Sequence, residues 1–134
     1  MGNSGRRFVS DTSDWLLEYV CRPRTGTRHA ILIDPADQPP EVAAKRCVAA
    51  VSAGSRMILV GGSTGTDMDN VHDTIMAIRE ALELITWASS QDSNLNGGEW
   101  RVPIVLFPQG AGALSPAADG ITFMMLMNST SPRF

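Results

Sequence analysis

Three short apolar runs, at residues 29–34, 57–60 and 101–107, alternate with stretches in which apolar residues recur every three to four positions. Alternation of strand-like and helix-like segments implies βαβ units, hence parallel strands joined by right-handed crossovers. The first run, His29-Ala-Ile-Leu-Ile-Asp34-Pro35, reads as a buried strand closed by Asp-Pro. A helix is predicted over 41–53, after Pro39 and Pro40, with Ala44, Cys47, Val48 and Val51 on its apolar face and Gly54 as its stop. The second run, 57–60, leads directly into Gly61-Gly62-Ser63-Thr64-Gly65-Thr66-Asp67. Beyond it lies the most regular stripe in the chain: Met68, Val71, Ile75, Ile78, Leu82 and Ile85, which Trp87 is expected to close.

Residues 89–99 are polar and contain Asn-Gly-Gly, so they read as a flexible inserted loop. The third strand is predicted over 101–107, with Pro103 near its start, where a missing N–H does least harm. The connection 108–120 carries one expected helical turn around 114–118. A fourth strand is predicted over 121–127, followed by a turn at Asn128 and Ser129. Ahead of all these, residues 11–21 read as a short amphipathic helix capped by Asp11, Thr12 or Ser13. The order α, β-α-β-α-β-(short)-β gives one α/β domain spanning 1–134.

Composition narrows the function classes. With 43% hydrophobic residues among 134, the chain has the apolar share of a globular domain. A net charge of −3 and the absence of a dense basic cluster argue against nucleic acid as a partner. Arg22, Arg24 and Arg28 read as a solvated loop. Neither a signal peptide nor a membrane-spanning run is found, so a soluble, cytoplasmic protein is expected. Cys21 and Cys47 match no metal-ligand spacing and are expected to be buried free thiols.

In parallel α/β folds ligands gather at the carboxyl ends of strands. The glycine-rich turn can cradle an anion on its amides, with Ser63 and Thr64 adding hydroxyls; equally, it can be only a tight βα turn. Asp34 is either a turn cap or a ligand for a hard cation such as Mg²⁺. Paired with Ser63 across adjacent strand ends, it could hold Mg²⁺ between protein and diphosphate. His29 lies at the opposite end of its strand and reads as structural, and His72 as a partly exposed helix residue. Met124, Met125 and Met127 either pack the core or line a channel for an apolar ligand.

Taken in series, His29-x-x-Leu32-Ile33-Asp34-Pro35, Gly61-Gly62-Ser63-Thr64-Gly65, Ile104-Val-Leu-Phe107-Pro108 and Phe123-Met124-x-x-Met127-Asn128-Ser129 closely resemble the geranylgeranylglyceryl phosphate synthase family, with its heptaprenylglyceryl phosphate synthase relatives. The resemblance implies a TIM (β/α)₈-type barrel, of which this chain would be the N-terminal half, with about four parallel strands. It implies transfer of a geranylgeranyl group from its diphosphate to the 3-hydroxyl of sn-glycerol 1-phosphate, the first ether bond of archaeal membrane lipids. It implies Mg²⁺ as cofactor, with Asp34 and Ser63 as ligands. Gly61, Gly62, Thr64, Gly65, Asn128 and Ser129 become candidates for binding substrate, and Phe107 and Met125 for a prenyl groove. No residue is assigned a catalytic role.

Three positions depart from the family's pattern: Ala36-Asp37 stands where Asp-Lys is common, and Leu32 where some members carry lysine. The family's glycerol phosphate motifs belong to later strands, so these 134 residues are expected to be inactive alone. The alternative is a non-catalytic half-barrel acting through self-association or a partner, and a homo-oligomer is expected in either case.

Overall fold

The computed structural model describes residues 14–23, 26–91 and 101–122. Within them the chain runs α1 (Asp14–Cys21), β1 (Ala30–Ile33), α2 (Pro40–Ser52), β2 (Met57–Val60), α3 (Met68–Gln91), β3 (Ile104–Leu106), a single 3₁₀ turn (Ala111–Ala113) and β4 (Gly120–Ile121). The four strands form one parallel sheet in the order β1-β2-β3-β4. Sequential parallel order with both long helices packed side by side on one face is the winding of a barrel wall, as the family resemblance implied.

The register explains which residues are buried. Ile33 pairs with Val60, and Val60 with Leu106, so these three side chains form one row beneath the helices. Against them pack Ala43, Ala44, Cys47 and Val51 of α2 and Val71, Ile75 and Ile78 of α3. The other row, Leu32–Leu59–Val105, faces away from both helices by the two-residue period of a strand. Leu32 is 54% exposed there. The expectation that β1 is buried therefore holds for Ile33 and fails for Leu32, because no helix among the described residues covers that face.

The stripe on α3 is buried at Val71, Ile75 and Ile78 but not at its ends: Met68 is 54% exposed and Trp87 66%. α3 has 24 residues against 13 in α2, about 36 Å against 20 Å, so its last turns run past the neighbouring helix. Trp87 does not close the core. The helix also continues through Ser89, Ser90 and Gln91, which the sequence placed in a loop; 92–99 lie outside the described residues.

Between β3 and β4 the single turn forms at Ala111–Ala113 rather than at 114–118. Leu114 is extended, and the Ser115 hydroxyl accepts the Ala117 N–H at 3.2 Å, so a side-chain-bonded turn replaces the expected helical one. The predicted fourth strand begins at Gly120. Thr122 still donates to the Leu106 carbonyl at 2.8 Å, and residues 123–127 lie outside the described residues.

α1 crosses the amino ends of the sheet. Leu16 sits over Gly120, the Tyr19 hydroxyl bonds to the Arg56 carbonyl, and Trp15 lies under Arg101. Arg28 is no free loop residue: it donates to the carbonyls of Val20 and Arg22 at 2.8 and 2.6 Å, satisfying acceptors at the end of α1. Cys21, the last residue of α1, is exposed, contrary to expectation, whereas Cys47 is buried. Candidate caps Asp11, Thr12 and Ser13 lie outside the described residues. No described helix is long and apolar enough to cross a membrane.

Candidate functional site

Parallel pairing brings the exits of β1, β2 and β3 to one edge of the sheet. Gly61 donates to the Ile33 carbonyl at 3.0 Å, and Phe107 donates to the Val60 carbonyl at 2.8 Å. Asp34, Gly61 and Phe107 therefore stand side by side, one residue past each strand.

Close approach at this edge requires glycine at two positions. A Cβ on Gly62 would overlap the Asp34 carboxylate, and one on Gly61 would overlap the Phe107 carbonyl. With hydrogen in place of a side chain, the Asp34 carboxylate can lie directly against the backbone of Gly62, one residue before Ser63. The sequence left open whether Asp34 faces Ser63; the structure places its carboxylate against the neighbouring Gly62.

Asp34 is held from its own side. Its Oδ1 accepts the Ala36 N–H at 2.9 Å, an Asx turn that fixes the carboxylate. Its carbonyl accepts from the Gln38 side chain at 3.0 Å, and Gln38 is in turn held by Arg46 of α2. Oδ2 accepts no hydrogen bond among the described residues. Asp34 is thus both a turn cap and an available ligand, so the two readings that the sequence left open are compatible.

The glycine turn offers donors. The N–H groups of Gly62, Ser63, Thr64, Gly65 and Thr66 reach no protein acceptor among the described residues, and Ser63, Thr64 and Gly65 are exposed. Unpaired amides ahead of a helix N-terminus favour an anion. The turn is fixed at both ends. Asn70 donates its N–H to Asp67 Oδ1 at 2.8 Å, and Asp67 donates its N–H back to Asn70 Oδ1 at 3.0 Å. The Asn70 amide also bonds the Gly65 carbonyl at 2.8 Å. Asp67-x-x-Asn70 carries this reciprocal cap of α3 with Asn where the usual partner three residues on is Glu or Gln, so its sequence signal is weak.

From the far side, Gln109 donates to the Thr66 carbonyl at 2.9 Å, clamping the turn to the exit of β3. No local sequence pattern announces that contact across 43 positions. The Thr66 hydroxyl is buried behind the turn without a partner among the described residues.

A hard cation suits this donor set. Asp34 supplies one charged oxygen and Ser63 an exposed hydroxyl, and no cluster of three or more acidic, His or Cys side chains exists among the described residues. Any cation there would complete its shell with water and ligand oxygens, as Mg²⁺ commonly does. Phe107 is 37% exposed beside Gly61, where it can meet an apolar chain. Asn128, Ser129 and Met125 lie outside the described residues. The histidines stay away from this edge: His29 Nδ1 bonds Ser55 at 2.6 Å and His72 Nδ1 bonds Ser115 at 2.9 Å, both structural pairings.

The chain is 42% identical over 106 residues to a geranylgeranylglyceryl phosphate synthase of Methanococcoides burtonii, covering 79% of this chain and 36% of the relative. It is 35% identical over 106 residues to the synthase of Pyrococcus furiosus, covering 79% and 35%. The chain thus spans about a third of the length of the curated relatives it matches. Its fold is similar to the wild-type GGGPS of Thermoplasma volcanium, with TM-score 0.58 and 36% identity, over 78% of this chain and 34% of that one. It is similar also to the (S)-3-O-geranylgeranylglyceryl phosphate synthase of Thermoplasma acidophilum, solved with sn-glycerol-1-phosphate, with TM-score 0.61 and 32% identity over 92% and 41%. The PcrB family model matches residues 22–134, and the chain belongs to the PcrB family.

Proposed function

We propose that this chain forms the cation- and diphosphate-holding part of a geranylgeranylglyceryl phosphate synthase, an enzyme that joins a prenyl group from its diphosphate to the 3-hydroxyl of sn-glycerol 1-phosphate. The observation that carries this reading is the Asp34 carboxylate laid against Gly62, beside a turn whose amides are unpaired. In this reading Asp34 and Ser63 hold Mg²⁺. A Mg²⁺ ion held there would supply positive charge to the diphosphate leaving group.

The chain's own residues do the rest. The Ala36 N–H keeps the Asp34 carboxylate oriented, so no reorganisation is needed when substrate arrives. Amides from Gly62 to Thr66 receive phosphate oxygens, and the Asp67–Asn70 cap with Gln109 keeps that turn from opening. Phe107 supports the apolar chain near the reacting carbon.

Two measurements test the proposal. The 134-residue chain is expected to bind pyrophosphate only when Mg²⁺ is present, and to show no prenyl transfer alone; full turnover by these residues would overturn the half-site reading. A relative's complete barrel carrying these residues in place of its matching segment is expected to turn over. Asp34→Ala in that chimaera should lower kcat at least ~100-fold, with stability changed by no more than about 1 kcal/mol.

A further inference from the structure

At the amino end of β3, away from Asp34 and the glycine turn, α3 and the segment entering the strand border an open pocket of about 550 Å³. That size lies within the roughly 300–1,000 Å³ of small-molecule sites. Its apolar wall is Leu82, Val102 and Ile104, with Trp87 at one side. A second pocket of about 360 Å³ adjoins it, and Arg79 and Arg101 line both.

The two arginines are held differently. Arg79 donates through Nε to the Ala117 carbonyl at 2.8 Å and pairs with Asp119 at 2.9 Å, while Asp119 also accepts the Ile104 N–H at 2.8 Å. Its charge is committed. The Arg101 guanidinium lies 3.8 Å from the ring centre of Trp15 and pairs with no carboxylate among the described residues. A guanidinium stacked on an indole is anchored by its flat face while its in-plane N–H donors remain available for a carboxylate. Glu83 also lines the larger pocket and opposes a doubly charged ligand.

We propose that this pocket binds a small monocarboxylate with a short apolar tail, its head on Arg101 and its tail against Leu82, Val102 and Ile104. The site is independent of the reading of the Asp34 edge. Titration of the full chain with hexanoate, followed by NMR of the tryptophan indole N–H signals, tests it. Saturable shifts are expected at Trp15 and Trp87, with affinity roughly tenfold or more weaker in Arg101→Gln. Hexan-1-ol at equal concentration is expected to leave both signals in place, and inorganic phosphate to bind more weakly than hexanoate. Hexanol matching hexanoate, equal affinity in Arg101→Gln, tighter binding of phosphate, or no saturable shift would each overturn the proposal. The comparison of hexanoate with hexanol needs no variant, so it stands even if Arg101→Gln fails to fold.

Discussion

At the scale of single residues, two small differences in environment have measurable consequences. Gly62 is required because the Asp34 carboxylate occupies the space of its missing Cβ. Gly62→Ala must displace that carboxylate or the turn, so it is expected to cost about 1–3 kcal/mol of stability and to weaken Mg²⁺-dependent pyrophosphate binding at least tenfold. Calorimetric titration beside a thermal melt checks both. The cysteines differ by burial alone. Desolvation pushes the Cys47 thiol from its ordinary value of 9.0 up to about 12, whereas Cys21 is exposed. A thiol reagent at pH 8 should therefore titrate one group in the native protein and two after denaturation. The same shift has a sign for stability. Above about pH 9 the unfolded chain loses the Cys47 proton first, so this contribution is intact below 9 and declines as pH rises towards 12.

At the scale of elements, α3 carries two jobs on one helix. Its first turns anchor the glycine turn through Asp67 and Asn70, and its middle turns bury Val71, Ile75 and Ile78 completely. Ile78→Ala is expected to cost about 2–5 kcal/mol, because α2 and the sheet are too closely packed to fill the space. Met76→Ala, two residues away on the helix and 48% exposed, should change stability by less than about 1 kcal/mol. Chemical denaturation of both variants measures the contrast; equal losses would contradict the burial pattern. Helix periodicity located this element well. The overhang of its last turns was invisible, because periodicity reports a face and not whether a neighbour reaches it.

At the scale of the whole molecule, the described sheet has helices on one face only. Leu32 at 54% and Ile121 at 58% exposure lie on β1 and β4, its two outermost strands. Exposed apolar strands with an unpaired edge invite association. The chain is accordingly expected to self-associate at micromolar concentration, and Leu32→Lys to weaken that association. Sedimentation velocity across a concentration series measures both, and a monomer at every concentration would contradict the expectation.

What the sequence by itself determined is the order of elements and the chemistry-bearing positions. Strand and helix periods differ, and strand ends in a parallel sheet share an edge, so Asp34, Gly61 and Phe107, each one residue past a strand, fall on one side of the sheet. Tertiary structure alone decided which of two strand faces is covered, that Gly62 makes room for Asp34, and that Gln109 clamps Thr66. The same holds for the anchoring of Arg79 and Arg101 at the other end of the sheet. The physical reason is range. Propensity and periodicity act over a few residues, whereas these contacts join residues up to 86 positions apart, as Arg101 over Trp15 shows, and exist only once the crossovers have brought distant segments together.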